Sequence, residues 1–141
     1  MNVSAILQPV FVVALLSMVM TILMYITRVS AMKKLRIHPQ RAKDTGKLKD
    51  LLPEEVTRIS NNYNHLFEQP TLFYAVAISI AVLGHVDAIH IYSAWVYAIL
   101  RILHSIVQAT VDIVMLRFSL FLGSWIALSI MIIHESITLF F

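Results

Sequence analysis

The sequence predicts an all-α integral membrane protein, a single domain over residues 1–141 built as a bundle of four transmembrane helices. Three observations predict it. Hydrophobic residues make up 59% of the chain and the mean hydropathy is +0.79, well beyond the roughly 45–50% apolar content of soluble domains. Charged residues reach only 13%, too few to cover a water-facing surface. Four stretches also supply the roughly 20 apolar residues that a helix needs to cross about 30 Å of hydrocarbon.

The first span is expected over residues 5–26, "AILQPVFVVALLSMVMTILMYI", with Pro9 tolerable in its first turns. Its basic residues follow the apolar run instead of preceding it, which is not the pattern of a cleaved signal peptide. The second span is expected over 66–86 with Glu68 as its sole charge, the third over 91–116, and the fourth over 118–141. Nine of the 11 basic residues fall between Arg28 and Arg58, so the 29–57 loop is expected to be cytoplasmic. Both termini and the short turn "GHVDAIH" (84–90), which lacks Lys and Arg, then lie on the other side. Within the loop, "LLPEEV" reads as a helix start. Pro53 suits the first position, and Glu54 and Glu55 lie near the positive dipole end. The loop itself is read as a retention signal that touches anionic headgroups.

The third span carries the chemistry. Arg101, His104, Gln108 and Asp112 are spaced 3, 4 and 4 apart, which puts them on one helical face. Ionisable groups in hydrocarbon face a protein interior or a wet cavity. Glu68 on the second span falls at a similar depth, so an ion pair between Glu68 and Arg101, braced by His104, is the expected neutralisation. That pair serves either to lock helix register or to line a functional cavity. Arg117 belongs at the cytoplasmic mouth, where snorkelling alone accounts for it.

Several function classes drop out. The chain has no cysteine, hence no disulfide, no thiolate nucleophile and no cysteine metal site. Its basic residues are gathered in one topogenic window instead of a nucleic-acid footprint. A metal site of His65, Glu68 and His104 is opposed by the neighbouring Arg101, so no metal is expected. A proton-coupled transporter would show internal repeats with broken helices; no repeat is visible, and Pro70 is the only breaker near Glu68.

"HLFEQPTLFYA" (65–75) followed by "WVYAILRILHSIVQATVDIVMLR" (95–117) resembles the membrane-associated proteins in eicosanoid and glutathione metabolism, the MAPEG superfamily. That group holds microsomal glutathione transferases, prostaglandin and leukotriene synthases and the lipoxygenase-activating protein. The "LFE-x-P-x-LFY" second helix is similar to that of small bacterial-type members. The resemblance implies a homotrimer that holds glutathione between adjacent protomers near the cytoplasmic side. It implies Arg117 as the catalytic residue beside the glutathione sulfur. It implies a cofactor-binding set of Arg58, Asn64, His65, Glu68, Arg101, His104 and Gln108. Three positions depart from the pattern. His65 stands where the family places Asn, with Asn64 one position away; Gln108 stands at a frequent Tyr position, and Asn61 replaces a second arginine.

A transferase of this kind would use a bound thiolate as nucleophile, its pKa lowered by a neighbouring guanidinium. A lipophilic electrophile would enter from the bilayer. The alternative function is a non-catalytic lipophile-binding or scaffolding membrane protein of the same fold.

Overall fold

The computed structural model describes residues 2–141, all of whose regular structure is helical. Helix α1 (Ser4–Lys34) is followed by a 3-10 turn (Pro39–Lys43) and the short α2 (Thr45–Leu51). Then come α3 (Glu54–Leu66), α4 (Gln69–Leu83), α5 (Ala88–Ala109) and α6 (Val114–Phe140). Four units are long and apolar enough to cross a membrane: α1, the nearly continuous α3–α4 pair over Glu54–Leu83, α5 and α6.

Helix α1 runs past its apolar stretch to Lys34 and stops where Arg36 adopts a left-handed conformation, φ 53°. The Ile37 N–H then closes onto the Met32 carbonyl at 2.9 Å. The basic segment is not an open loop. Leu48, Leu52 and Val56 form a small core with Ala31, Met32, Ile37 and Ala42, folding α2 back against the end of α1. Asp44 caps α2 through the N–H groups of Gly46 and Lys47. Pro53 is the N-cap of α3, with Glu54 and Glu55 in its first turn.

Helices α3 and α4 are separated at Phe67 and Glu68. Pro70 sits in the first turn of α4, where its missing N–H is harmless but cannot continue α3. At the far end, Gly84 takes φ 75° and the His85 N–H reaches back to the Ile80 carbonyl at 3.2 Å. This left-handed stop is one that a residue with a Cβ adopts only with strain.

The third span is shorter than expected. Helix α5 ends at Ala109, not near residue 116, and Asp112 at φ 49° turns the chain into α6. Arg117 therefore lies in the first turns of α6 instead of terminating α5. The most extensive packing is between α5 and α6, while α1 lies against α3, α4 and α5. Helix association in lipid relies on close packing and interhelical hydrogen bonds. Ala77, Ala94, Ala98 and Ala127 are accordingly buried in the core beside Ile6, Val13 and Met131. Phe73 and Tyr97 stack in that core with centroids 4.1 Å apart.

Candidate functional site

The polar residues of α5 point inward as expected. Arg101, His104, Ser105 and Gln108 are all buried, Arg101 with 0% exposure. Asp112 does not continue their stripe, because the helix has already ended.

The expected partner of Arg101 is corrected. Glu68 stands in the α3–α4 break with its side chain 67% exposed, and its nearest opposite partner is His65 Nδ1 at 3.5 Å. Arg101 instead donates from Nη2 to the His65 carbonyl at 3.3 Å and from Nη1 to Gln69 Oε1 at 3.5 Å. The break before Pro70 produces this. Where α3 stops, the His65 carbonyl keeps only a long 3.4 Å contact from the Glu68 N–H and is free to accept from α5. Gln69 Oε1 also accepts from Ser124 Oγ at 3.2 Å, so one network joins α4, α5 and α6. Sequence reasoning missed Gln69, Ser124 and the fully buried Asn62. Uncharged side chains on apolar helices carry little signal until their facing neighbours are known.

Several buried polar atoms of this interior have no partner among the described residues. They include both amide atoms of Asn62, Gln69 Nε2, Arg101 Nε, His104 Nδ1, Ser105 Oγ and Gln108 Oε1. Buried polar groups are normally satisfied, which sets this interior apart from the apolar core.

Below it, toward the basic end, lies a cavity of about 190 Å³ lined by His65, His104, Val114, Arg117, Phe118 and Phe121. His65 and His104 line it from α3 and α5, and Arg117, Val114, Phe118 and Phe121 line it from α6. His65 and His104 meet edge to face, centroids 5.9 Å apart. Arg117 is ion-paired with Asp112 across the α5–α6 turn. Arg58 caps the same turn, donating from Nη1 to the Thr110 carbonyl at 2.8 Å. The structure thus gathers Arg58, His65, Arg101, His104, Gln108 and Arg117 on the inner side of this end of the bundle. Asn64 and Glu68 face outward.

A second cluster lies at the opposite end. Asp87 Oδ1 accepts from the His90 N–H at 2.9 Å, and Asp87 Oδ2 lies 2.5 Å from His134 Nε2. His85 Nδ1 is 2.8 Å from Glu135 Oε1. Partial burial pushes the Asp87 pKa up, but the His90 N–H and the His134 ring outweigh it and hold the carboxyl below its usual range.

Comparison with curated proteins and with solved structures returns no match. The MAPEG family profile, in contrast, matches residues 6–135, from the first buried turn of α1 to Glu135 near the end of α6, and the chain belongs to the MAPEG family.

Proposed function

We propose that the protein is a membrane-embedded, glutathione-dependent transferase, or a related thiol-dependent enzyme, acting on a lipophilic electrophile. The observation that carries the reading is the cavity that Arg117, Val114, Phe118 and Phe121 line from α6 and His65 and His104 line from α3 and α5. A cation there favours a bound thiolate over the thiol, and the aromatic side chains suit an apolar co-substrate. Membership of a family broadly linked to glutathione and eicosanoids supports the cofactor.

The cavity is small for a tripeptide, so the carboxylates of glutathione would extend past it, with Arg58 and the basic segment to receive them. The outward carboxylate of Glu68 supports assembly into a homotrimer. It sits about 22 Å, or 15 residues, from the Leu83 end of its span. A charge at that depth is costly against lipid and tolerable against a second copy. Asn64, exposed at the end of α3, would join it at the subunit boundary.

A second reading draws on the pairing of Arg117 with Asp112 and of Arg58 with the Thr110 carbonyl, which engages one donor of each guanidinium that glutathione would need. On that reading the protein binds a lipophile without turnover. Purified protein titrated with glutathione to millimolar concentration separates the two. A cofactor raises Tm by binding the folded state, and conjugation of a hydrophobic aryl halide follows. Arg117→Ala should then lower kcat more than it raises KM for glutathione, whereas Arg58→Ala should mainly raise KM. No shift and no turnover, with stabilisation by an aromatic or fatty lipophile, sinks the transferase reading.

A further inference from the structure

We propose that the cluster at the end of the bundle opposite the basic segment is a binding site for a divalent transition-metal ion of the Zn²⁺ type. Its ligands are His90, His134, Asp87 and Glu135. Donor atoms of Asp87, His90 and His134 lie within 4.8 Å of one another. Glu135 stands outside that group of three; its Oε2 is 3.6 Å from His90 Nε2, and a side-chain rotation would bring it to the ion as the fourth ligand. That separation is too long for a good hydrogen bond. It is close to the edge of about 3.4 Å between two ligands of one tetrahedral ion with bonds near 2.1 Å.

The ligands are also prepared for a metal in a way that a hydrogen-bonded network does not require. His90 is 1% exposed, and its Nδ1 faces the His85 carbonyl at 3.1 Å and Asp87 Oδ1 at 3.0 Å. Donating the Nδ1 proton to the His85 carbonyl leaves the lone pair on Nε2, the arrangement that orients metal-bound imidazoles. His90 Nε2 has no hydrogen-bond partner, and neither has Glu135 Oε2 on a residue only 6% exposed. The other carboxylate oxygen of Glu135 is held by His85, which fixes its direction. His134 and Asp87 are partly exposed and offer a route from solvent. An ion would separate the His134 Nε2 and Asp87 Oδ2 atoms that now touch, by a side-chain rotation of each.

Two nitrogens and two oxygens suit Zn²⁺ over Mg²⁺ or Ca²⁺, which take oxygen ligands in larger numbers. The ligands come from the α4–α5 turn, the start of α5 and the end of α6, so the ion would clasp these elements at the bundle's rim. This inference does not depend on the glutathione reading.

The test uses full-length protein in detergent, prepared without a polyhistidine tag and stripped with a chelator. Titration with Zn²⁺ should reach one ion per chain and raise Tm, and Co²⁺ should give the visible absorption of a tetrahedral site. His134→Ala and Glu135→Gln should each weaken Zn²⁺ affinity at least tenfold, and His85→Ala about tenfold through loss of the carboxylate's orientation. The His65→Ala/His104→Ala double variant should retain uptake. Absence of saturable uptake by the wild-type protein overturns the proposal without any variant. Uptake that survives His134→Ala in protein of native circular dichroism, or that vanishes in the His65/His104 double variant, overturns it too.

Discussion

A guanidinium with no exposure is tolerated in a bundle interior only while its donors find acceptors. For Arg101 these are a main-chain carbonyl released by a helix break and an amide oxygen shared with Ser124. The expected consequence is specific. Arg101→Met with Gln69→Leu should show a coupling of about 1 kcal/mol in a double-mutant cycle, the size of one long charge-assisted hydrogen bond. Arg101→Met with Glu68→Gln should be additive within about 0.5 kcal/mol, because the Glu68 side chain points away. Both are read from thermal unfolding in detergent, and strong coupling of Arg101 to Glu68 would reinstate the ion pair that depth alone suggested. The inward face of α5 was legible because three polar residues at helical spacing survive any small error in helix ends. The direction of Glu68 was not. It depends on the rotation introduced at Phe67, which a count of residues along a regular helix does not contain.

Helix ends separate into those with a chemical marker and those without. Pro53 and Gly84 mark theirs, the first by a ring that fits an N-terminus and the second by freedom at positive φ. At Ala109 the apolar run continues through "VDIVML", and the chain turns on Asp112, an L-residue that adopts the left-handed region. Neither Gly nor Pro announces that stop, which is why the third span reads seven residues too long against the observed Ala109. The histidine–carboxylate cluster was hidden for a different reason: Asp87 and His134 are 47 residues apart and meet only through the packing of α5 on α6. Gly84 tests the element argument directly. A Cβ there meets nothing within 4 Å, so Gly84→Ala has no steric cost beyond its φ of 75°. It should destabilise by about 1 kcal/mol, and Gly84→Asn by less. An unchanged Tm for Gly84→Ala would mean that the turn relaxes to negative φ. Gly123 is the contrast, since its Cβ would lie 3.1 Å from Leu100 Cδ1 between α5 and α6.

At the scale of the whole molecule the charges divide the bundle into two unlike ends. The end carrying α2 and the α5–α6 turn holds ten of the 11 basic residues, all but the buried Arg101. The other, formed by the α4–α5 turn and the chain termini, holds histidines and carboxylates and no Lys or Arg. Translocation of short segments disfavours Lys and Arg, so the first end is expected to face the cytoplasm. Because the chain has no cysteine, single substitutions report on this cleanly. Thr45 begins α2 at the basic end and Ala88 begins α5 at the other, and both are exposed. In intact cells a membrane-impermeant thiol reagent should label Ala88→Cys and spare Thr45→Cys, and permeabilisation should make both reactive. This orientation would put the Arg117 cavity on the side where glutathione is abundant, and the Asp87, His90 and His134 cluster on the side open to metal from outside. Labelling of Thr45→Cys in intact cells would invert the bundle, leaving its helices in place and exchanging the compartments from which the two sites are reached.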